Sequence, residues 1–295
     1  MHRILSCTLA LLTTTIAFAQ EWNLQKGEAK VFGSYSFLHY DRIAGPEGTF
    51  DETGFVVDDM SFGLFAVYGV NDKWTLFLDL PYKRIEASPY IYLDDMSAPD
   101  RPAYLQDVPE PDGGTLTAPG NAKAGASFAL RPEELTVSLT FEANTSTQNY
   151  IDGTATGFNS SAVIPGIAWI HGTNKWWSSV LVQGEWRTNN YSSVLAGRAE
   201  AGLHLTNWLY VAAQPAWRIP LNESDADCDC TLAYTALYLN EQSYVSMQLK
   251  TGVEYRNWGL HLASGNAFYV RNVGLNLALT GGLSYHFTAD RSSNE

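Results

Sequence analysis

Cysteine is nearly absent: Cys7, Cys228 and Cys230 are the only three in 295 residues. Long apolar runs are missing too. No segment reaches the eighteen consecutive apolar residues that a membrane-crossing helix needs, so any crossing has to be made by strands. Basic side chains are outnumbered 18 to 31 by acidic ones. This removes the electrostatic footprint of a nucleic-acid binder, and no nucleic-acid partner is expected. Neither G-x-S-x-G nor H-E-x-x-H occurs, so two common hydrolase signatures have no foothold. The mean hydropathy of −0.14 resembles that of a soluble protein, but barrel strands dilute each apolar face with an equal polar one and give the same average.

What is present is alternation. From Val273 to Phe287, residues Val273, Leu275, Leu277, Leu279, Leu283, Tyr285 and Phe287 share one face, interrupted by Gly281. Gly274, Asn276, Ala278, Thr280, Gly282, Ser284 and His286 share the other. An ordinary strand runs about 5–6 residues, whereas a tilted bilayer-crossing strand needs about 9–11 plus its ends. The close of this stretch resembles the C-terminal assembly signal of bacterial outer-membrane barrels, carried by Thr280, Gly282, Tyr285 and Phe287. The resemblance implies the barrel assembly machinery as a partner through Thr280 to Phe287.

The N-terminus reads as an export signal. His2 and Arg3 precede a short apolar core, Ile4 to Ile16, and Ala17-Phe18-Ala19 offers a small-x-small cleavage site. Cys7 invites a lipoprotein reading, but the apolar core continues beyond it. The expected organisation is a signal peptide at 1–19, a barrel at 20–287 and a polar tail at 288–295. Loss of Arg3 would leave 17 basic against 31 acidic side chains, a net charge of −14 (17 − 31).

Four short polar turns deliver a Trp to the start of a strand: Asn71-Asp72-Lys73-Trp74, Thr173-Asn174-Lys175-Trp176-Trp177, Thr206-Asn207-Trp208 and Arg256-Asn257-Trp258. A fifth, Arg131-Pro132-Glu133-Glu134, lacks the aromatic. Tight turns on the periplasmic side and long loops outside are the outer-membrane pattern. Trp74, Trp176, Trp208 and Trp258 are therefore the expected membrane-interface residues. Counting between turns predicts strands near 28–40, 59–70, 73–84, 119–131, 134–146, 160–171, 175–187, 193–205, 207–219, 243–256, 258–270 and 273–287. A thirteenth at 232–239 is rejected on parity. The fold class is all-β: a transmembrane antiparallel up-and-down β-barrel of about twelve strands. A soluble sandwich also alternates, but it would not keep charge to one face over such lengths. The 160–171 strand, with Pro165 and apolar residues on both faces, is the weakest in pattern.

The longest loop, 85–119, holds six of the twelve prolines and is expected to constrict or cover the mouth, or to lie disordered at the surface. The loops at 41–58 and 220–242 are the other large ones, and Tyr234, Leu237, Tyr238 and Leu239 make the latter apolar enough to pack. Loop acids such as Asp51, Asp94, Asp107, Asp225 and Asp227 suit a surface that carries divalent cations beside anionic lipid. Outer-membrane lipid and lipopolysaccharide are the expected surroundings. Cys228 and Cys230 are open to a tight disulfide or, alternating with Asp, to a weak metal site.

Three stretches resemble the outer-membrane transporter family associated with the meta-pathway of phenol degradation. They are Glu28-Ala29-Lys30-Val31-Phe32-Gly33-Ser34-Tyr35-Ser36 with His39-Tyr40-Asp41-Arg42, the run Ala66 to Leu76, and Leu80-Pro81-Tyr82. Where that family usually carries Gly-Asp, this chain reads Gly120-Asn121-Ala122-Lys123. The resemblance implies a barrel and a role in moving small organic molecules, and transfers no functional residues.

Strand parity points a charged set inward as the pore lining: Lys30, Asp79, Lys83, Lys123, Arg131, Glu142, Glu185, Arg187, Arg198, Glu200, Arg218, Lys250 and Glu254. Arg198 and Glu200 are expected to neighbour Glu185 or Arg218, more as a structural network than as a substrate site. The mixed sign argues against a simple charge filter. Phe32, Phe77 and Tyr210 point inward as a surface for organic solutes or as plugs, and His204, His261 and His286 point inward with them. Twelve strands fall between filled eight-stranded barrels and open sixteen-stranded porins. The expected function is a channel for passive uptake of small organic solutes, aromatic or apolar, with no cofactor, metal or catalytic residue. The alternatives are a non-conducting anchor whose acidic loops bind a partner, or a lipid enzyme built on His39 and Asp41.

Overall fold

The computed structural model describes residues 24–45, 47–48, 50–89, 110–132, 134–222, 231–274 and 277–288. The expected signal peptide, the proline-rich span 90–109, Cys228, Cys230 and nearly all of the polar tail lie outside the described residues. The strands are β1 (Ala29–Ala44), β2 (Phe50–Gly69), β3 (Trp74–Ala87), β4 (Gly114–Pro119), β5 (Lys123–Arg131), β6 (Leu135–Glu142), β7 (Gln148–Asn149), β8 (Thr154–Ala155), β9 (Ala162–Gly172), β10 (Trp176–Arg187), β11 (Val194–His204), β12 (Leu209–Pro220), β13 (Ser243–Tyr255), β14 (Trp258–Arg271), β15 (Val273–Gly274) and β16 (Ala278–Phe287). One short helix, α1 (Leu232–Thr235), lies between β12 and β13.

Every neighbour in the main sheet is the next wall strand, and β1 closes the ring by pairing with both β2 and β16. β4 and β5 both pair with β3 and form one interrupted wall strand, as do β15 and β16 against β1. The result is a closed barrel of twelve antiparallel strands. Closure joins the first wall strand to the last, so the backbone polar groups along the wall are satisfied by neighbouring strands as a membrane-crossing sheet requires, apart from local lapses. Ala29 faces Phe287 across the seam, so the first and last wall strands meet at the tight-turn end.

The outer surface carries an apolar band. On β3, Trp74, Leu76, Leu78, Leu80 and Tyr82 alternate outward, each 41–49 % exposed, before the charged Arg84. Trp74 to Tyr82 is a nine-residue crossing, at the lower edge of the roughly 9–11 that a tilted strand needs. Tyr35 and Phe62 lie ring against ring at 4.9 Å near the outer border of the band. Trp176, Trp208 and Trp258 are exposed like Trp74 at the opposite end.

Three local expectations need correction. The 41–58 stretch is largely strand, because β1 and β2 pair out to Ala44↔Phe50 past an irregularity between Tyr40 and Arg42. The 273–287 stretch is not one strand with one apolar face. Val273 is fully buried, on the core side, whereas Leu277 faces outward, so the two ends of the stretch differ in parity. Residues 232–239 form α1 and tight coil, and the absence of a strand there is what the parity argument expects. β6 ends at Glu142, and residues 143–146 enter a loop. Around Pro165, pairing of β9 to β10 lapses between Val163 and Gly166, as a residue with no N–H requires.

Above the band, the outer end of the barrel is filled by main chain. Residues 231–238 are all buried. Leu232, Ala236, Leu237 and Tyr238 pack against Leu38, Tyr40, Ile43, Val57, Ile85, Phe158, Val270 and Val273 in the largest apolar cluster of the described residues. The Tyr40 hydroxyl donates to Thr235 O at 2.5 Å, and Thr235 Oγ1 donates to Gly153 O at 2.8 Å. Ala236, Tyr238 and Glu241 all have positive φ, between 52° and 54°. Such a conformation costs a non-glycine residue about 1–2 kcal/mol, so packing holds this coil in a shape it would not adopt alone.

Candidate functional site

Beneath this cap the lumen holds a cavity of about 200 Å³. Its wall changes character along the barrel axis. Toward the tight-turn end it is lined by Phe65, Val67 and Phe77; toward the cap it is lined by Asn121, Glu142, Glu185, Arg187, Arg218 and Tyr238.

The charged half is a network centred on Arg187. Its guanidinium donates to Glu142 at 2.7 Å and to Glu185 at 2.8 Å. Arg218 reaches the same Glu185 oxygen at 2.8 Å, and Lys123 lies 3.5 Å from Glu142. Phe158 arrives from the loop between β8 and β9, with its ring centre 4.2 Å from the Arg187 guanidinium carbon and 5.2 Å from that of Arg218. This is a cation–π arrangement out of bulk water. Lys83 forms a separate pair with Asp59 at 2.8 Å and lies over the Tyr238 ring. Burial pushes the Tyr238 phenol up to about 12, against the lowering pull of Lys83, so the cap meets the cavity with a neutral tyrosine.

Asn121 explains one departure in the sequence. It lies where the wall strand breaks between β4 and β5, and its Nδ2 donates to Glu142 Oε1 at 2.9 Å and to Phe158 O at 2.9 Å. An aspartate has no donor to offer there and would set a second anion beside Glu142.

Nearer the tight turns lies a second polar cluster. Glu200 accepts from Trp177 Nε1 at 2.7 Å and from Gln214 at 3.2 Å, and pairs with Lys250 at 3.4 Å. Four inward rings here lie over the glycine facing them on the adjacent strand: Phe77 on Gly125, Trp177 on Gly202, Tyr210 on Gly252 and His261 on Gly282. A Cβ on Gly202 would come within 2.1 Å of the Trp177 ring. The absent side chain is what lets each ring lie flat along the wall. Phe32, Phe65, Val67 and Leu24 form a small core with Phe77 against it. The chain before β1 is tied there by Gly27 N donating to Gly69 O.

Of the residues predicted to face the lumen, Asp79, Lys83, Lys123, Glu142, Glu185, Arg187, Arg198 and Arg218 line this cavity. Glu200 and Lys250 belong to the second cluster, and Lys30 lies 4.8 Å from the centre of the Phe32 ring. Arg131 and Glu254 stand exposed at the tight-turn rim, Arg131 facing Glu134 at 3.8 Å after an irregularity that breaks its register. The expected ladder divides in two: Glu185 joins Arg218, while Glu200 joins Lys250. Phe32 and Phe77 share one aromatic group. Tyr210 meets Trp177 and His204 edge to face, and His286 faces Glu28 at 3.7 Å. His39 hydrogen-bonds Asp58 at 2.7 Å, not Asp41, whose near neighbour is Arg42. The pair lies on the outward face of β1 and β2. Asp59, Phe158 and the cap contacts were missed from sequence, where only the apolar content of 232–239 signalled any of them, while Asn121 stood out as a departure without an assigned role.

No family model matches the sequence, and no curated protein matches it. Solved structures do. The chain is similar to the crystal structure of an outer membrane channel from Pseudomonas putida F1, with a TM-score of 0.67 and 16 % identity over 90 % of this chain and 98 % of that one. That likeness is one of fold. The CymD monoaromatic hydrocarbon channel (TM-score 0.48, 8 % identity, 97 % and 95 % coverage) and the KdgM porin (0.45, 7 %, 88 % and 99 %) also align, too loosely to carry an argument.

Proposed function

We propose that this chain is an outer-membrane channel for small organic solutes. The observation that carries the reading is the manner of closure. The wall is complete, a cavity lies within it, and the outer seal is a folded loop in strained conformation instead of side chains rooted in the wall. A loop can leave as a unit and reclose, so the barrel has the parts of a gated path. The likeness in fold to an outer membrane channel, and the sequence resemblance to a transporter family for aromatic degradation, support the same reading.

In this account the signal peptide at 1–19 is removed on export. Thr280 to Phe287 addresses the assembly machinery, and lipid and lipopolysaccharide surround the apolar band. The four tryptophans mark the inner interface. The charged residues around the cavity line the solute path, with no metal, cofactor or catalytic group. The test is flux: vesicles carrying the refolded chain should swell in isosmotic benzyl alcohol or glycerol faster than empty vesicles. The closed cap also favours a second reading, a non-conducting anchor. Vesicles that never swell, with or without the cap, would select it.

A further inference from the structure

We infer that Phe158 is an internal stand-in for the solute: its ring fills a cage that the ring of a planar, uncharged solute takes over in transit. This rests on the channel reading and names a solute site within the same lumen. The cage has four walls, drawn from four parts of the chain. Arg187 comes from the end of β10 and Arg218 from β12, with guanidinium carbons 4.2 Å and 5.2 Å from the centre of the Phe158 ring. Tyr191, in the turn after β10, and Tyr238, in the cap, meet that ring edge to face at 5.8 Å and 5.2 Å.

The charges of the cage are already matched, and this sets the kind of ligand. Arg187 donates to Glu142 and Glu185, and Arg218 donates to Glu185. A guanidinium bonds carboxylates through its planar fork and stacks on rings through its face. An aromatic ring can therefore lie against these arginines while every ion pair stays in place, whereas a charged solute finds both cations taken. Phe158 is also placed to exchange. Its main chain is held independently of the ring, with Phe158 O accepting from Asn121 Nδ2 at 2.9 Å and from Ser146 Oγ at 3.0 Å. Its side chain lines the cavity beside Arg187, Arg218 and Tyr238. A cavity of about 150 Å³ admits benzene, so the 200 Å³ here has room for a solute ring and Phe158 to change places by side-chain rotation. The exchange replaces a contact tethered to the β8–β9 loop with one that is free to move on.

The experiment measures binding of benzyl alcohol and of cyclohexylmethanol to the refolded full chain by calorimetry, alongside vesicle swelling in each. Hydrophobic fit alone favours the saturated ring, which has more apolar surface to bury. The cage should reverse that order and hold benzyl alcohol about fivefold tighter, the strength of one cation–π contact. Phe158→Leu keeps an apolar side chain in the cage but offers the arginines no π face. Benzyl alcohol should displace it more readily and bind the variant about fivefold tighter than the wild type. If Phe158 only walls the cavity, affinity in the variant stays the same or falls, and either result overturns the inference. Equal binding of the two alcohols by the wild-type chain, preference for the saturated one, or binding of neither also overturns it. Those wild-type results decide the matter if the variant, checked by its heat-dependent gel shift, does not fold. Swelling without ring preference keeps the channel and overturns the inference; ring preference without swelling keeps the site and overturns the channel.

Discussion

At the outer end of the barrel the obstruction is main chain, residues 231–242, bonded to Tyr40, Gly153, Ser192 and Asn272 around it. At the inner end it is side chains fixed to the wall: Phe32, Phe65 and Phe77 with Leu24 packed among them. The first kind of seal opens by local unfolding of one segment, at a free energy well below that of the whole barrel. The second opens only by rotamer changes within a packed group. In the proposed channel the outer end would therefore serve as the gate and the inner end as a fixed filter of size. The charged cavity between them is lined by wall charges, by Phe158 from the β8–β9 loop and by the cap residues Tyr238 and Gln242.

Substitutions of graded effect sharpen or break this contrast. The largest is expected from Arg187→Gln, which leaves Glu142 and Glu185 without their shared cation. Breaking a buried pair costs about 3–5 kcal/mol, and the midpoint of urea unfolding in lipid vesicles should fall accordingly. If it hardly moves, the network under the cap is not holding the wall. Asn121→Asp removes a donor from Glu142 and Phe158 and adds like charge. An expected loss of roughly 2–3 kcal/mol would register in the same assay, with Asn121→Ser closer to wild type. Phe77→Ala deletes a half-buried ring over Gly125, for roughly 2 kcal/mol, less than the roughly 3–5 of a fully buried one. Its more telling readout is conductance, which should rise only in a variant whose cap has also been removed. The smallest effect is expected from Tyr40→Phe, which loses one hydrogen bond to Thr235, about 1 kcal/mol. Channel openings should become about fivefold more frequent with unchanged single-channel current.

Strand number and face were legible because each is a local property. Period-two alternation and tight polar turns ending in Trp belong to single strands, and they place β3, β10 and β13 within a few residues of where they lie. The charged interior was legible for the same reason: Glu142, Arg187 and Lys250 sit on the polar side of their own strands. Which charge meets which was not, because partners are set by stagger around the barrel. Arg187 finds Glu142 forty-five residues away, across β9, and no spacing rule reaches that far. The role of Phe158 was hidden, since it comes from a loop that enters the lumen. The cap was half legible: Tyr234, Leu237 and Tyr238 announce burial, but a sequence does not say that the place of burial is the barrel's own mouth. The turn at Arg131 shows a limit of parity, because one irregular residue in β5 places a predicted lumen charge at the rim.

The most direct test of the gate is single-channel conductance of the full chain in a planar bilayer, beside a variant in which residues 231–242 are replaced by a short Gly-Ser linker. The account predicts rare openings for the intact chain and a steady, larger current for the variant. Equal currents from the two, or silence from both while each migrates as a folded barrel, would contradict it.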